Sequence, residues 1–192
     1  MVIKYDTHYE CLKRKKIFQD DFCLLSVRRQ DIDQIRLWRN AQLNVLRQNK
    51  EISEREQIDY YENNIFPKFR EDKPKNIIFS FLKNNSLVAY GGLVHIEWKH
   101  FRAEVSFLVD TKIAGTKEDY NELLPSFLSV IKDVAFNDLK LIKLTAELYD
   151  IRPNYKKTLI SSDFIIEDVL KNHVMVKNDY KDSIIFSCIN NN

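Results

Sequence analysis

The stretch Ser86–Leu128, SLVAYGGLVHIEWKHFRAEVSFLVDTKIAGTKEDYNELLPSFL, decides how the chain is read. It opens with two strand-like runs, Leu87–Glu97 and Arg102–Asp110, joined by a polar turn at Lys99–His100. In the second run Ala103, Val105, Phe107 and Val109 alternate with Glu104, Ser106 and Leu108, the period of a strand. Gly91-Gly92 inside the first run predicts a bulge, or a close approach of backbone or ligand. A loop holding Gly115 and Thr116 follows. It leads into an amphipathic helix with Leu124, Phe127, Leu128, Ile131, Val134 and Ala135 on one face. A proline deep in a helix costs roughly 3 kcal/mol but little in the first turn, so Pro125 places the helix N-cap at Asn121 or a later residue. Strand, loop and helix N-terminus together suit a phosphate, because the first N–H groups of a helix have no internal partners.

Working outward, Phe22–Arg29 is a short strand candidate, and Asp31 stands at the N-cap position of a helix striped by Ile32, Ile35 and Trp38. Ser53 to Glu56 is a capping box that opens a second helix reaching about Asn64, with Ile58 and Tyr61 on its buried side. Residues 67–76, with Pro67 and Pro74, are expected as a loop. Asn76–Lys83 is a strand rich in β-branched and aromatic residues, closed by an Asn84-Asn85 hairpin turn. Downstream, Leu139–Tyr149 alternates as a strand and Pro153–Ser161 is a short helix. Phe164–Val169, His173–Lys177 and Ser183–Ile189 are further strand candidates, the last two joined at Asn178-Asp179. This order predicts a mixed α/β or α+β fold, one sheet with helices against it. Residues 1–20 are polar and aperiodic and read as an N-terminal arm, with 21–192 as the domain. The basic run Lys13–Lys16 in that arm is expected to be solvated.

Composition narrows the function. The chain has 192 residues, 44% apolar and 30% charged, which suits one globular domain with a substantial core. A net charge of +2 gives no electrostatic case for nucleic acid or a membrane surface. Cys11, Cys23 and Cys188 are far apart, with no CxxC or Cys/His cluster, so neither a metal site nor a disulfide framework is expected, and a reducing cytoplasm is. The first residues lack an apolar core of a secretory signal, and no run approaches about 18 apolar residues, so no membrane span is expected.

Three motifs in this order resemble the GNAT superfamily of N-acetyltransferases. IRLWRN (35–40) followed by ISEREQIDYY (52–61) resembles members with a Trp-Arg-Asn helix end. AYGGLVHIEWKHFRAEVSFLVD resembles the family's central hairpin, and LISSDFIIEDVLKNHVMVKNDYKDSIIFS is similar to its C-terminal segment. The resemblance covers about residues 22–189. It implies a mixed, mostly antiparallel sheet with helices on both faces, splayed between its fourth and fifth strands, here Arg102–Asp110 and Leu139–Tyr149. It also implies acetyl-CoA as cosubstrate and no metal. Phe107, Leu108 and Val109 would hold the pantetheine arm. Gly115, Thr116 and Lys117 would hold the pyrophosphate, and Arg152, with Lys156 and Lys157, lies where basic residues meet the 3′-phosphate. The family loop is richer in glycine; here IAGTKEDY (113–120) has one glycine followed by two acids. Leu159 replaces the tyrosine that often acts as acid, which leaves Tyr149 or Tyr155 for that role. Asp163 replaces a usual glycine.

N-acetyl transfer requires a neutral amine, a base for its proton and a donor for the oxyanion. Glu104 matches a position that supplies the base in some relatives, and a sheet glutamate paired with a lysine or arginine is the equal alternative. Arg39, Asn40, His95 and Glu97 are the candidates for the acceptor pocket; Arg39 and Asn40 alternatively cap the first helix. The leading reading is a cytoplasmic acetyl-CoA-dependent N-acetyltransferase. Its acceptor is an amino-sugar nucleotide, a small amine, an amino acid or a protein N-terminus, and a homodimer is left open. The second reading is a GNAT-shaped module that binds a ligand or partner without turnover.

Overall fold

The computed structural model describes residues 7–190. Eight strands form one sheet in the order β1-β2-β3-β4-β5-β6-β8-β7. They are β1 (Lys16–Gln19), β2 (Phe22–Ser26), β3 (Ile77–Lys83), β4 (Ser86–Glu97), β5 (Arg102–Val109), β6 (Lys143–Tyr149), β7 (Ile165–Val176) and β8 (Asp179–Ile189). Every pairing is antiparallel except β5 with β6. Four helices accompany the sheet: α1 (Ile32–Ala41), α2 (Glu54–Tyr60), α3 (Leu124–Asp133) and α4 (Pro153–Ser161). The expected mixed, mostly antiparallel sheet is therefore observed.

The two faces of the sheet carry different cargo. Phe81 and Phe107 point to one face, where the ring of Phe127 from α3 lies 5.6 Å and 4.7 Å from theirs. Ser80 and Tyr90 point to the other and meet Asp31 and Arg39 at the two ends of α1. Gly91 lets β4 and β5 close tightly: a Cβ there would fall 2.1 Å from the Ser106 carbonyl oxygen. The glycines therefore serve close backbone approach. The bulge lies further along β4, between Val94 and Glu97, where His95 adopts φ 51°.

Beside β5 the sheet opens. The parallel pairing of β5 and β6 covers only Arg102–Glu104 against Lys143–Thr145. From Val105 onward β5 pairs with β4 alone, and from Ala146 onward β6 pairs with β8 alone. This is the expected splay, now between β5 and β6, because the short strand β1 was not legible in the sequence.

Several local expectations change. Residues 7–19 are not a solvated arm: Tyr9, Leu12 and Ile17 are buried, and the Tyr9 hydroxyl accepts the Ile78 N–H. Residues 1–6 of that arm lie outside the described residues. Within the basic run, Arg14 pairs with Asp133 and Asp138 at 2.7 and 2.9 Å, so it ties the chain's start to the end of the α3 region. Asp31 does not cap α1 with its side chain; it accepts from Arg28 and from the Ser80 hydroxyl at 2.6 Å each. A buried carboxylate is better served by a guanidinium and a hydroxyl than by one amide. On α2 the capping box forms, but Gln57 is buried through its bond to the Ile32 carbonyl while Ile58 stays exposed. Residues 67–70, expected as the start of a loop, belong to a 3-10 turn, Phe66–Arg70, that buries Phe66 and Phe69. The two candidate strands at 164–177 are one bulged strand, β7.

The helix after the central loop begins at Lys117, ahead of the N-cap expected at Asn121 or later. Thr116 is its cap, its hydroxyl accepting the Asp119 N–H at 3.3 Å. Pro125 is tolerated inside because a π-turn precedes it: over Asp119–Leu123 the turn widens, and the Leu124 N–H reaches back to the Asp119 carbonyl. The ladder is already loosened where proline has no N–H to give.

Candidate active site

The opening between β5 and β6 holds a cavity of about 320 Å³. Glu104 comes to it from β5 and Glu147 from β6, both on the outward phase of their strands. The Arg47 guanidinium, from the segment after α1, sits between them, 3.1 Å from Glu104 and also bonded to Glu147. The Ser183 hydroxyl donates to Glu147 from β8 at 2.5 Å. Two carboxylates from separate strands thus converge on one cation in the cleft.

The segment that carries Arg47 is held in place by Asn40. Its side chain donates to the Ile52 carbonyl and accepts from the Ile52 N–H and from Gln48. Arg39 donates to Gln48 at 2.9 Å and to the Tyr90 hydroxyl at 3.0 Å. The end of α1 therefore builds the cleft wall, with Arg39 at the cavity and Asn40 behind it.

Toward the other end of the cleft, Phe107, Leu108, Val109, Gly115 and Arg152 line a second cavity of about 260 Å³. Tyr155 borders both cavities. Its ring lies 6.4 Å from Phe107, with the Arg152 guanidinium 4.3 Å above it. Burial pushes the Tyr155 hydroxyl up to about 12, and Arg152 pulls against that shift. The group keeps its proton at neutral pH and so is available as a hydrogen-bond donor. A third cavity of about 310 Å³, lined by Thr116, Lys117 and Lys157, shares Gly115 and Tyr120 with the second.

The structure brings together most residues expected from the sequence. Glu104, Arg39, His95 and Tyr155 share the first cavity, and Phe107 and Arg152 link it to the second. Two expectations separate. Asn40 serves the segment that holds Arg47, as described above. Glu97 does not join His95 on one face, because the left-handed turn at His95 breaks the strand's alternation, and it lies outside this lining. Two residues escaped the sequence reading. Arg47 lies in a segment without a motif and Glu147 in a strand read only for its apolar phase, whereas Asp119 is one of the two acids noted after Gly115. The alternation of β6 was the one available signal, since it puts Glu147 opposite the apolar face. Among the described residues no group of His, Cys, Asp and Glu side chains is placed to hold a metal.

No curated protein matches the chain by sequence. Solved structures match by fold. Spermidine N-acetyltransferase from Vibrio cholerae in complex with CoA and spermine superposes with a TM-score of 0.75 at 17% identity, covering 89% of this chain and 96% of that one. A dodecameric form of spermidine N-acetyltransferase from the same organism superposes with a TM-score of 0.72 at 18% identity, covering 89% and 95%. At such identity these show a common fold. The model of the acetyltransferase (GNAT) domain matches residues 24–185, which span both strands of the cleft, the loop between them and the helices that flank it. By that match the chain belongs to the GNAT acetyltransferase family.

Proposed function

We propose that the protein is an acetyl-CoA-dependent N-acetyltransferase whose acceptor is a small cationic amine. The observation that carries the acceptor class is the pair of carboxylates, Glu104 and Glu147, converging on the Arg47 guanidinium in the cleft. A site that holds one cation this way is built to hold another. The neighbours named for spermidine acetylation, one of them in complex with spermine, agree with this class.

The residues present fit the donor along most of its length. The β5 edge from Val105 to Val109 is not paired by β6 and offers main-chain groups to an amide-bearing arm. Thr116, Lys117 and Lys157 suit a phosphate beside the helix start. Bound acetyl-CoA would supply a thioester carbonyl open to attack. Glu104 would take the amine's proton, helped by its place at the cavity wall, and Tyr155 would donate a hydrogen bond from a hydroxyl that stays protonated. Arg47 would leave the carboxylates when the acceptor enters. The three cysteines are unbridged, which suits the cytoplasm, and no helix among the described residues is long and apolar enough to cross a membrane. A small amine is the partner, and assembly into an oligomer is in keeping with the dodecameric neighbour.

The test couples binding to turnover. Saturating acetyl-CoA at 100 times Kd should stabilise the protein by about 2.7 kcal/mol, which moves Tm by roughly 5–10 °C. A panel of spermidine, a monoamine and an amino-sugar nucleotide then reads the acceptor. Spermidine should be acetylated fastest, and preference for the anionic nucleotide would sink the cationic reading. No thermal shift at millimolar acetyl-CoA would remove the enzyme reading and leave a non-catalytic binding module.

A further inference from the structure

The loop ahead of the long helix has the makings of an anion site. The helix opens at Lys117, so the Lys117 and Glu118 amides point out of its first turn. Lys117 and Lys157 line the cavity beside it. Across the neighbouring cavity the Arg152 Nε is buried without a hydrogen-bond partner. All of this favours a negative group.

One residue does not fit. Asp119 is 4% exposed and lines the same cavity as Arg152. Its Oδ2 accepts the Gly115 N–H at 3.1 Å, while its Oδ1 is buried without a partner. Gly115, at φ 82°, aims its amide into the loop and so at this carboxylate. The remaining loop amides are also taken: those of Ile113 and Ala114 bond the Asp110 carbonyl, and that of Thr116 bonds the Ile113 carbonyl. Burial raises the Asp119 carboxyl, with the Gly115 amide and Arg152 opposing the shift. The Gly115 amide therefore already has an acidic acceptor within the chain.

We propose that Asp119 is an internal competitor for the donor's diphosphate and sets donor affinity in this protein. This rests on the acetyl-CoA reading above. In the unliganded protein the Asp119 carboxylate takes the Gly115 amide and shares the field of Arg152. A diphosphate arriving at the same loop meets that charge before it meets the amides. Substrate binding is thereby held weak, while the loop stays ordered in its absence.

The test measures binding of CoA, and of pantetheine, which lacks the diphosphate, by calorimetry. The proteins are wild type, Asp119→Asn and Asp119→Ala, each with its unliganded melting curve. Asp119→Asn keeps an acceptor for Gly115 and so preserves the loop; Asp119→Ala frees the amide outright. Both variants should bind CoA about tenfold more tightly, roughly the effect of one charge-assisted hydrogen bond, with pantetheine unchanged. A lower melting temperature combined with tighter CoA binding supports the proposal as well. Folded variants that bind CoA no better than wild type overturn it. Equal tightening of CoA and pantetheine also overturns it, because the effect then bypasses the diphosphate. Failure of all three proteins to bind CoA overturns the donor reading itself, which distinguishes the two failures.

Discussion

The two sides of β5 behave as different materials. On the β4 side the sheet is shut: Ala89–Val94 pairs with Glu104–Val109, Gly91 admits no side chain, and the Phe127 ring seals the face below. On the β6 side the sheet parts after Glu104, and charged groups, Glu104, Glu147, Arg47 and Arg152, take the place of the missing ladder. One strand thus carries stability on one edge and chemistry on the other. An open edge inside a sheet exposes unpaired main-chain groups, and it persists only when the surrounding packing is strong enough to hold it. The closed side provides that packing.

This contrast predicts that stability and activity separate by side. The largest effect falls on the open edge: Glu104→Gln should lower kcat by about 10²–10⁴-fold, the usual worth of a positioned base. Its unfolding free energy in urea should stay within about 1 kcal/mol of wild type, since a partly exposed ion pair contributes little. A large stability loss without a rate loss would move Glu104 to the structural side. Next comes the closed edge. Phe127→Ala should cost about 3–5 kcal/mol, measured by urea unfolding, because it empties a fully buried ring site against Phe81 and Phe107. If that variant lost rate at unchanged stability, the division between the two sides would not hold.

The smallest effect concerns the segment that delivers Arg47 to the cleft. Lys50, near its end, bonds Glu56 of the capping box at 2.9 Å. Lys50, then the Ser53 amide and hydroxyl, lower the Glu56 carboxyl from 4.5 to about 2. A carboxyl lowered on folding adds stability that is fully present above its unfolded value and is lost as pH falls through the folded one. The stability difference between wild type and Glu56→Gln should therefore be constant above about pH 5 and shrink between 4.5 and about 2. A difference independent of pH would show that the bond to Lys50 contributes nothing in solution.

Much of the fold was legible because it is written in local period. The β4 and β5 alternation, the Ser53 capping box, the Asn84-Asn85 turn with φ of 49° and 65°, and α4 over Pro153–Ser161 all follow from neighbours in sequence. Tyr9 was not legible: an aromatic in an aperiodic polar stretch gives no face, and its backbone N–H and hydroxyl find partners in Ser26 and Ile78 from distant strands. The helix start was misread because Pro125 is forbidding under α-helical geometry and tolerable after a π-turn. Asp31 carried the signature of a cap, and the buried Ser80 hydroxyl drew it away.

The candidate site divides along the same line. Glu104, Phe107 and Gly115 could be named from the sequence because the motifs around them resemble those of the GNAT family and so imply their roles. Arg47 and Glu147 could not, because what makes each matter is a partner far along the chain. Sequence alone determined which residue types each element presents and, where the local period is unbroken, on which face. Only the tertiary structure decided which charges meet, because Coulomb and hydrogen-bond energies fall off with distance in space, and distance along the chain does not measure it.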